Sequence, residues 1–195
     1  MHILHPNKQS TILQVALTGM MAAVVLVSTM FLHIDIPLPT GKTMLSLGNA
    51  MCLLSGLLLG PIYGGLAGGL GSFLYDLMDP VFISQAPITF LFKFAIGFVS
   101  GMILYAGKKE RPVTISRSIV GGIAASLTYM LLYLGKSLLM LVLAGSELQP
   151  ALVAIVPKIA ASSSNAILAV LVAVPLSMGI RTALQRAHLV SKARG

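Results

Sequence analysis

Long apolar runs, interrupted by very few charges, dominate this sequence. Charged residues make up 9% of its 195 residues and apolar residues 56%, whereas soluble domains carry about 25% charged residues. Several runs reach or exceed the roughly 18 apolar residues that indicate a membrane span. We therefore expect an all-α membrane protein rather than a soluble domain with an unusually apolar core.

Hydropathy divides the chain into six predicted helical spans. Gly60-Pro61 is a tight-turn signal, so the second and third spans should form a helical hairpin. Both are short for a hydrocarbon core of about 30 Å. The length leaves no room for a separate soluble domain, so residues 1–195 are expected to form one compact six-helix bundle. The predicted spans are Ile12–Leu32, Leu45–Leu59, Ile62–Met78, Pro87–Tyr105, Ile115–Ala144 and Pro150–Ile180.

The basic residues are distributed unevenly between the two ends of the predicted bundle. With six spans, both termini lie on one side, and that side holds nine of the thirteen basic residues. The opposite loops hold Lys42 and three acidic residues. The positive-inside rule therefore predicts cytoplasmic termini, which explains the net positive charge without nucleic acid. Binding of anionic lipids by the basic tail is compatible with this distribution. The nine residues are Lys8, Lys108, Lys109, Arg111, Arg117, Arg181, Arg186, Lys192 and Arg194, and the acids are Asp35, Asp79 and Glu147.

Three further lysines, Lys93, Lys136 and Lys158, lie inside the predicted spans. A charge there costs at least ~2.5–3.5 kcal/mol on insertion scales, so such a group indicates a functional site. All three lie ~10–12 Å below the outer surface at 1.5 Å per residue. Either each lysine extends separately to the outer headgroups, or they converge on an anionic ligand. Asp76 leaves their charge mostly unmatched, so we expect convergence on a carboxylate or phosphate.

Polar side chains near these lysines favour a cavity open to the outside. Two tyrosines share a helical face with the lysine of the fifth span, and an asparagine shares one with the lysine of the sixth. The alternative is that these groups only form hydrogen bonds between helices. The predicted ligand contacts are Lys93, Lys136, Lys158, Asn49, Tyr133, Asn165, Tyr129, Asp76 and Gln85.

No catalytic or metal-binding constellation is expected. The four histidines fall in the termini or a loop, and the serine run Ser162–Ser164 has no nearby group to activate it. A membrane enzyme that holds lipid phosphates with the lysines is therefore the weaker hypothesis. A self-sufficient secondary permease would need intramembrane acids for ion coupling. A mainly structural subunit remains open if the lysines reach the headgroups separately.

Small residues line one face of the first span. Ala16, Gly19 and Ala23 lie at i, i+3 and i+7, and Gly19-x-x-x-Ala23 is a small-xxx-small pattern that allows close helix approach. The face can serve a partner helix or packing inside the bundle.

The chain resembles the substrate-binding S components of energy-coupling factor (ECF) vitamin transporters. The resemblance rests on the small-residue face, the proline-containing loop His33–Thr43, and two longer segments. These are LGNAMCLLSGLLLGPIYGGLAGGLGSFLYDLMDP (Leu47–Pro80) and APITFLFKFAIGFVSGMI (Ala86–Ile103).

The resemblance implies a chain in the bacterial plasma membrane that binds one vitamin from outside. It implies association with a membrane coupling subunit and two ATPases, which use the ATP, and no cofactor in this chain. Ala16, Gly19 and Ala23 would contact the coupling subunit, although Met20 replaces a second alanine in that register. The loop His33–Thr43 would form a lid.

Pantothenate is the ligand predicted from the sequence. Riboflavin and thiamin binders of the family usually bring aromatic stacking, and this chain has no tryptophan and few other aromatic residues. Thiamin is also a cation. The carboxylate of pantothenate would meet the intramembrane lysines, and its hydroxyls and amide would meet Asn49, Tyr133 or Asn165. Pyridoxine or a hydroxymethylpyrimidine is the alternative, and it leaves the lysines unexplained.

Overall fold

The structure, a computed structural model, describes residues 8–38, 41–105, 114–145 and 147–186. All six predicted helices are present, and the last continues past its predicted end at Ile180. The elements are α1 (Lys8–Phe31), β1 (His33–Leu38), β2 (Gly41–Ser46), α2 (Gly48–Leu59), α3 (Pro61–Met78), a 3₁₀ turn (Ile83–Gln85), α4 (Ala86–Tyr105), α5 (Ile115–Leu143) and α6 (Leu148–Arg186).

The prediction of six membrane spans is only partly confirmed. Within the described ranges, four helical segments are long and apolar enough to cross a membrane, and α2 and α3 are not among them. Helix α2 has 12 residues, or about 18 Å at 1.5 Å per residue, well short of a core of about 30 Å. The four segments are Thr11–Phe31, Ile83–Tyr105, Ile115–Leu143 and Gln149–Leu184.

The short helix α2 lies at the centre of the bundle. It packs against α1, α3, α4 and α6, and its residues Cys52, Leu53 and Leu57 are completely buried. A helix that is apolar on every side must be covered on every side. The apolar run that predicted a second span is therefore a core helix surrounded by longer ones.

Glycines bring α2, α3 and α4 into backbone contact. The chain turns from α2 to α3 at Gly60, whose φ of +86° favours glycine. A Cβ at Gly97 of α4 would lie 2.5 Å from the carbonyl oxygen of Gly64 in α3. A Cβ at Gly56 of α2 would lie 2.2 Å from the carbonyl oxygen of Gly97. Any side chain at these positions would force the three helices apart.

Gly97→Ala is expected to lower the free energy of unfolding by about 1–3 kcal/mol, because its methyl group would overlap backbone atoms that cannot rotate away. Unfolding by SDS in mixed micelles measures this change. Gly19→Ala is the control, since a Cβ there meets nothing within 4 Å. The control should match or slightly exceed the parent, because alanine favours a helix by roughly 0.5–1 kcal/mol over glycine. Equal stability of the two variants would contradict the proposed contact.

The segment predicted as the loop His33–Thr43 is instead part of an antiparallel β-hairpin. Strands β1 and β2 pair in register from His33 opposite Ser46 to Leu38 opposite Gly41. The apolar residues of β1 alternate with His33, Asp35 and Pro37, a period-two pattern that indicates a strand. Proline is tolerated here because both strands of a two-stranded sheet are edge strands.

Side chains from α4 and α6 close the end of the bundle opposite the hairpin. Tyr105 donates a hydrogen bond to the carbonyl oxygen of Leu57 at 3.1 Å and to that of Leu58 at 3.2 Å. Arg181 donates to the Leu57 carbonyl and, at 2.7 Å, to the Tyr105 hydroxyl. The last carbonyls of a helix lack partners within it and attract positive charge, so this pair stabilises the C-terminal end of α2.

Candidate functional site

A cavity lies between the helices beneath strand β2 of the hairpin. It is lined by eight of the nine predicted ligand contacts: Asn49, Asp76, Gln85, Lys93, Tyr129, Tyr133, Lys136 and Asn165. Its other lining residues are Thr29, Thr43, Met44, Ser46, Ser72, Tyr75, Phe82, Thr89, Phe92 and Ser162. Among the described residues, no group of three His, Cys, Asp or Glu side chains is placed to hold a metal ion. The cavity therefore offers hydrogen-bonding, charged and aromatic groups to an organic ligand.

Three polar side chains on one face of α4 and the turn before it organise the cavity. Lys93, Thr89 and Gln85 are spaced four residues apart, or about 6 Å per step along a helix. Lys93 donates to the Asn49 side-chain oxygen from α2. Thr89 hydrogen-bonds with Asp76 from α3. Gln85 accepts from Lys136 of α5. The α4 face thus joins three other helices around one space, with Lys93 the deepest of these three residues and Gln85 nearest the hairpin end of the bundle.

Both cavity lysines are held by neutral groups rather than by carboxylates. Lys93 bonds to the Asn49 carbonyl oxygen and its Nζ lies 4.9 Å from the centroid of the Tyr129 ring. Lys136 bonds to the Gln85 carbonyl oxygen. In the part of the chain that the structure describes, neither lysine forms an ion pair with a carboxylate. The positive charge of each cavity lysine is therefore available to a ligand.

Lys158 lies outside the lining of this cavity. It is partly exposed, and its charge opposes that of Lys136 electrostatically. The cavity reaches Ser162 and Asn165 on α6, and Lys158 is one turn nearer the N-terminal end of that helix. The structure thus brings two of the three predicted lysines together, and Lys158 is the predicted contact that it leaves outside this cavity.

Asn165 holds strand β2 of the hairpin against α6. Its side-chain oxygen accepts from the Ser46 amide at 2.9 Å, and its side-chain nitrogen donates to the Met44 carbonyl at 2.8 Å. The Asn165 amide thereby pairs with backbone groups of β2 that a neighbouring β-strand would otherwise bind. The Tyr133 hydroxyl lies 3.2 Å from the Thr43 hydroxyl and adds a third link, from α5. Asn165 and Tyr133, both predicted as ligand contacts, therefore form hydrogen bonds with the hairpin that covers the cavity.

Asn165→Ala is expected to accelerate release of a bound ligand by about tenfold, because two hydrogen bonds worth roughly 0.5–1.5 kcal/mol each hold the hairpin closed. Amide hydrogen exchange at Ser46 should accelerate in parallel. Ser164→Ala is the matched control, since Ser164 is the neighbouring residue and is exposed. Unchanged exchange at Ser46 in Asn165→Ala would contradict the role of this amide.

The predicted docking face of α1 is uncovered in the bundle. Ala16, Gly19 and Ala23 are all exposed, and a Cβ at Gly19 would meet nothing within 4 Å. The alternative that this face packs inside the described bundle is therefore wrong. Met20, the residue that departs from the family pattern, is 59% exposed beside it.

Several lining residues were missed by the sequence interpretation, chiefly aromatic and hydroxyl side chains. Thr89 had a usable signal, since it lies four residues before Lys93 on the same helical face. The chain has seven phenylalanines and five tyrosines, and five of these twelve residues line the cavity. The rings of Tyr129 and Tyr133 are nearly parallel, at 10°, with centroids 5.9 Å apart. A low aromatic content therefore does not mean a cavity poor in aromatic surface.

Comparison with known proteins places the chain in a transporter family. The family model described as ECF-type riboflavin transporter, S component, matches residues 9–182. An uncharacterised protein of Pyrococcus woesei is 32% identical over 106 residues, which cover 54% of this chain and 68% of that protein. The family match spans all the helices that form the cavity.

Proposed function

Because the chain belongs to the S components of ECF-type riboflavin transporters, we propose that it captures one vitamin in the cavity beneath the hairpin for import by partner subunits. The S component is the substrate-binding subunit of a vitamin transporter, and the chain is a multi-pass membrane protein. The observation that carries the proposal is the cavity itself, in which Lys93, Lys136 and five aromatic side chains surround one space.

Riboflavin is the ligand we propose first. The matched family is named for this vitamin. The low aromatic content of the chain had argued against riboflavin, but five aromatic side chains line the cavity. A flavin presents a flat ring system, carbonyl acceptors for Lys93 and Lys136, and a chain of hydroxyls for the surrounding polar groups. The sequence-based choice of pantothenate gains no support from the family match. It remains the second candidate because two lysines in the cavity suit its carboxylate.

Orientation follows from where the charges lie. Arg117, which donates to the Ile103 carbonyl at 3.2 Å, and Arg181 lie at the end of the bundle away from the hairpin. Positive residues favour the cytoplasmic side, so we place both termini in the cytoplasm and the cavity mouth outside. Lys108, Lys109, Arg111, Lys192 and Arg194, which carried much of this prediction, lie outside the described residues. The location in a bacterial plasma membrane stays a proposal of the same kind.

Transport in this proposal depends on partners. A membrane coupling subunit would dock on the exposed face of Ala16, Gly19 and Ala23, and two ATPase subunits would hydrolyse ATP. This chain would need no cofactor. The alternative of an independent secondary permease is less favoured, because among the described residues Asp76 is the one acidic side chain that lines the cavity.

Vitamin uptake into proteoliposomes tests the proposal. The chain alone should bind the vitamin without accumulating it. Adding the coupling subunit, the two ATPases and ATP should produce uptake, and an ATPase variant unable to hydrolyse ATP should abolish it. Accumulation by the chain alone, driven by an ion gradient, would establish the permease instead.

A further inference from the structure

Asp76 is a buried acid on the cavity wall with an unused hydrogen-bond acceptor. The residue is 5% exposed, and it bonds with Thr89. Its Oδ2 atom is fully buried and has no hydrogen-bond partner among the described residues. A buried charged or polar atom that lacks a partner is costly, and native structures seldom leave one without a reason.

Neither lysine of the cavity satisfies Asp76. No lysine nitrogen lies within 4 Å of its carboxylate among the described residues, and the two cavity lysines bond to the side chains of Asn49 and Gln85 instead. Asp76 bonds with Thr89, which lies one helical turn before Lys93 on α4, so the acid and this lysine are separate hydrogen-bonding groups on the cavity wall. The cavity therefore offers a ligand the lysine donors and, separately from them, a carboxylate acceptor.

We propose that Oδ2 of Asp76 accepts a hydrogen bond from an O–H or N–H group of the bound vitamin, and that Asp76 thereby selects ligands. This inference rests on the proposed function and specifies its chemistry. The ligand class is a molecule with an acceptor or anionic group for Lys93 and an O–H or N–H donor for Asp76. Molecules that present only acceptors gain no hydrogen bond from Asp76 and therefore bind more weakly than ligands that bring a donor.

The experiment compares two flavins with the parent chain and two variants. Riboflavin carries ribityl hydroxyls and a ring N–H, whereas 3-methyllumiflavin carries neither kind of donor. Asp76→Leu should weaken riboflavin binding by about tenfold to a hundredfold, since hydrogen bonds to charged groups are worth about 1.5–3 kcal/mol. Its affinity for 3-methyllumiflavin should change less than about twofold. Glu147→Ala removes a negative charge from an exposed position and should alter neither affinity.

A second variant covers the case in which Asp76→Leu fails to fold. Asp76→Asn keeps the shape of the side chain but offers a neutral acceptor, roughly half as strong as a carboxylate. It should weaken riboflavin binding at least about threefold and leave 3-methyllumiflavin binding unchanged. Lumiflavin retains the ring N–H but has no ribityl chain. Its affinity for the parent and the variants then shows whether Asp76 accepts from the ring N–H or from a ribityl hydroxyl.

The outcomes separate this inference from the proposed function. Equal loss of both flavins, or loss of neither, in a folded variant overturns the role of Asp76 while leaving riboflavin as the ligand. If the parent chain binds no flavin, riboflavin is overturned, and the same variants are titrated with pantothenate, which also carries hydroxyl and N–H donors. Weakened pantothenate binding then supports the inference, and unchanged binding overturns it. Binding of neither vitamin overturns both.

Discussion

Replacing Lys93 with methionine is expected to weaken vitamin binding by at least about thirtyfold. Methionine keeps most of the length and apolar surface of the lysine stem but removes the charge and all three donors. Lys93 is the deeper of the two cavity lysines along its helix, bonded to Asn49 and placed over the Tyr129 ring. Loss of one partner from a buried charged interaction typically costs about 2–5 kcal/mol, which gives this factor. Isothermal titration of the purified chain measures the change.

The other two intramembrane lysines supply graded controls for this variant. Lys136→Met should have a smaller effect, because Lys136 lies at the rim and bonds to Gln85. Lys158→Met should have none beyond about twofold, because Lys158 does not line the cavity. Equal, small effects of all three substitutions would mean that the lysines only reach the headgroups separately. A large effect of Lys158→Met would instead restore the three-lysine convergence predicted from the sequence.

Replacing Gly19 or Ala23 with leucine is expected to abolish partner-dependent uptake while leaving vitamin binding unchanged. A leucine side chain on this face would hold a partner helix away from the backbone of α1, and close approach is what small residues permit. The fold should tolerate the change, because a Cβ added at Gly19 would have no neighbour within 4 Å. Uptake into proteoliposomes and equilibrium binding are measured on the same preparation.

Gly179→Leu is the matched control for this prediction. Gly179 lies in α6, is exposed, and also has nothing within 4 Å of its Cβ position. Uptake by this variant should equal that of the parent. If Gly19→Leu transports normally, α1 does not dock a partner through this face. If it loses vitamin binding as well, the face acts through the fold of the bundle.

The helices were predictable because their signals are local. Apolar runs and the Gly60-Pro61 turn placed all six, and α5 begins at the predicted residue, Ile115. Whether a helix crosses the bilayer is not a local property. Helix α2 is as apolar as a span, yet it is short and enclosed by its neighbours, which hydropathy cannot reveal. The hairpin was missed because its prolines were read as loop signals, although β1 alternates in a strand pattern.

The site was predictable where burial of charge is costly, and less so elsewhere. Lys93, Lys136 and Asp76 stood out because charges are rare within apolar runs, and all three line the cavity. Lys158 was predicted at the same depth but does not line the cavity, because the depth of a residue along a helix does not indicate which space its side chain faces. The two hairpin bonds of Asn165 depend on a strand that is 119 and 121 residues distant in the chain. No pattern within a single sequence indicates such a contact.

Titration of riboflavin with the purified, detergent-solubilised chain tests directly whether the cavity holds this vitamin. Flavin fluorescence reports binding, and pantothenate, pyridoxine and thiamin are added as competitors. We expect saturable one-to-one binding of riboflavin without ATP or partner subunits, and no displacement by the other three vitamins. Displacement by pantothenate would retain a vitamin-binding subunit but replace its ligand. Absence of binding for all four vitamins would contradict the account of this cavity as the vitamin site.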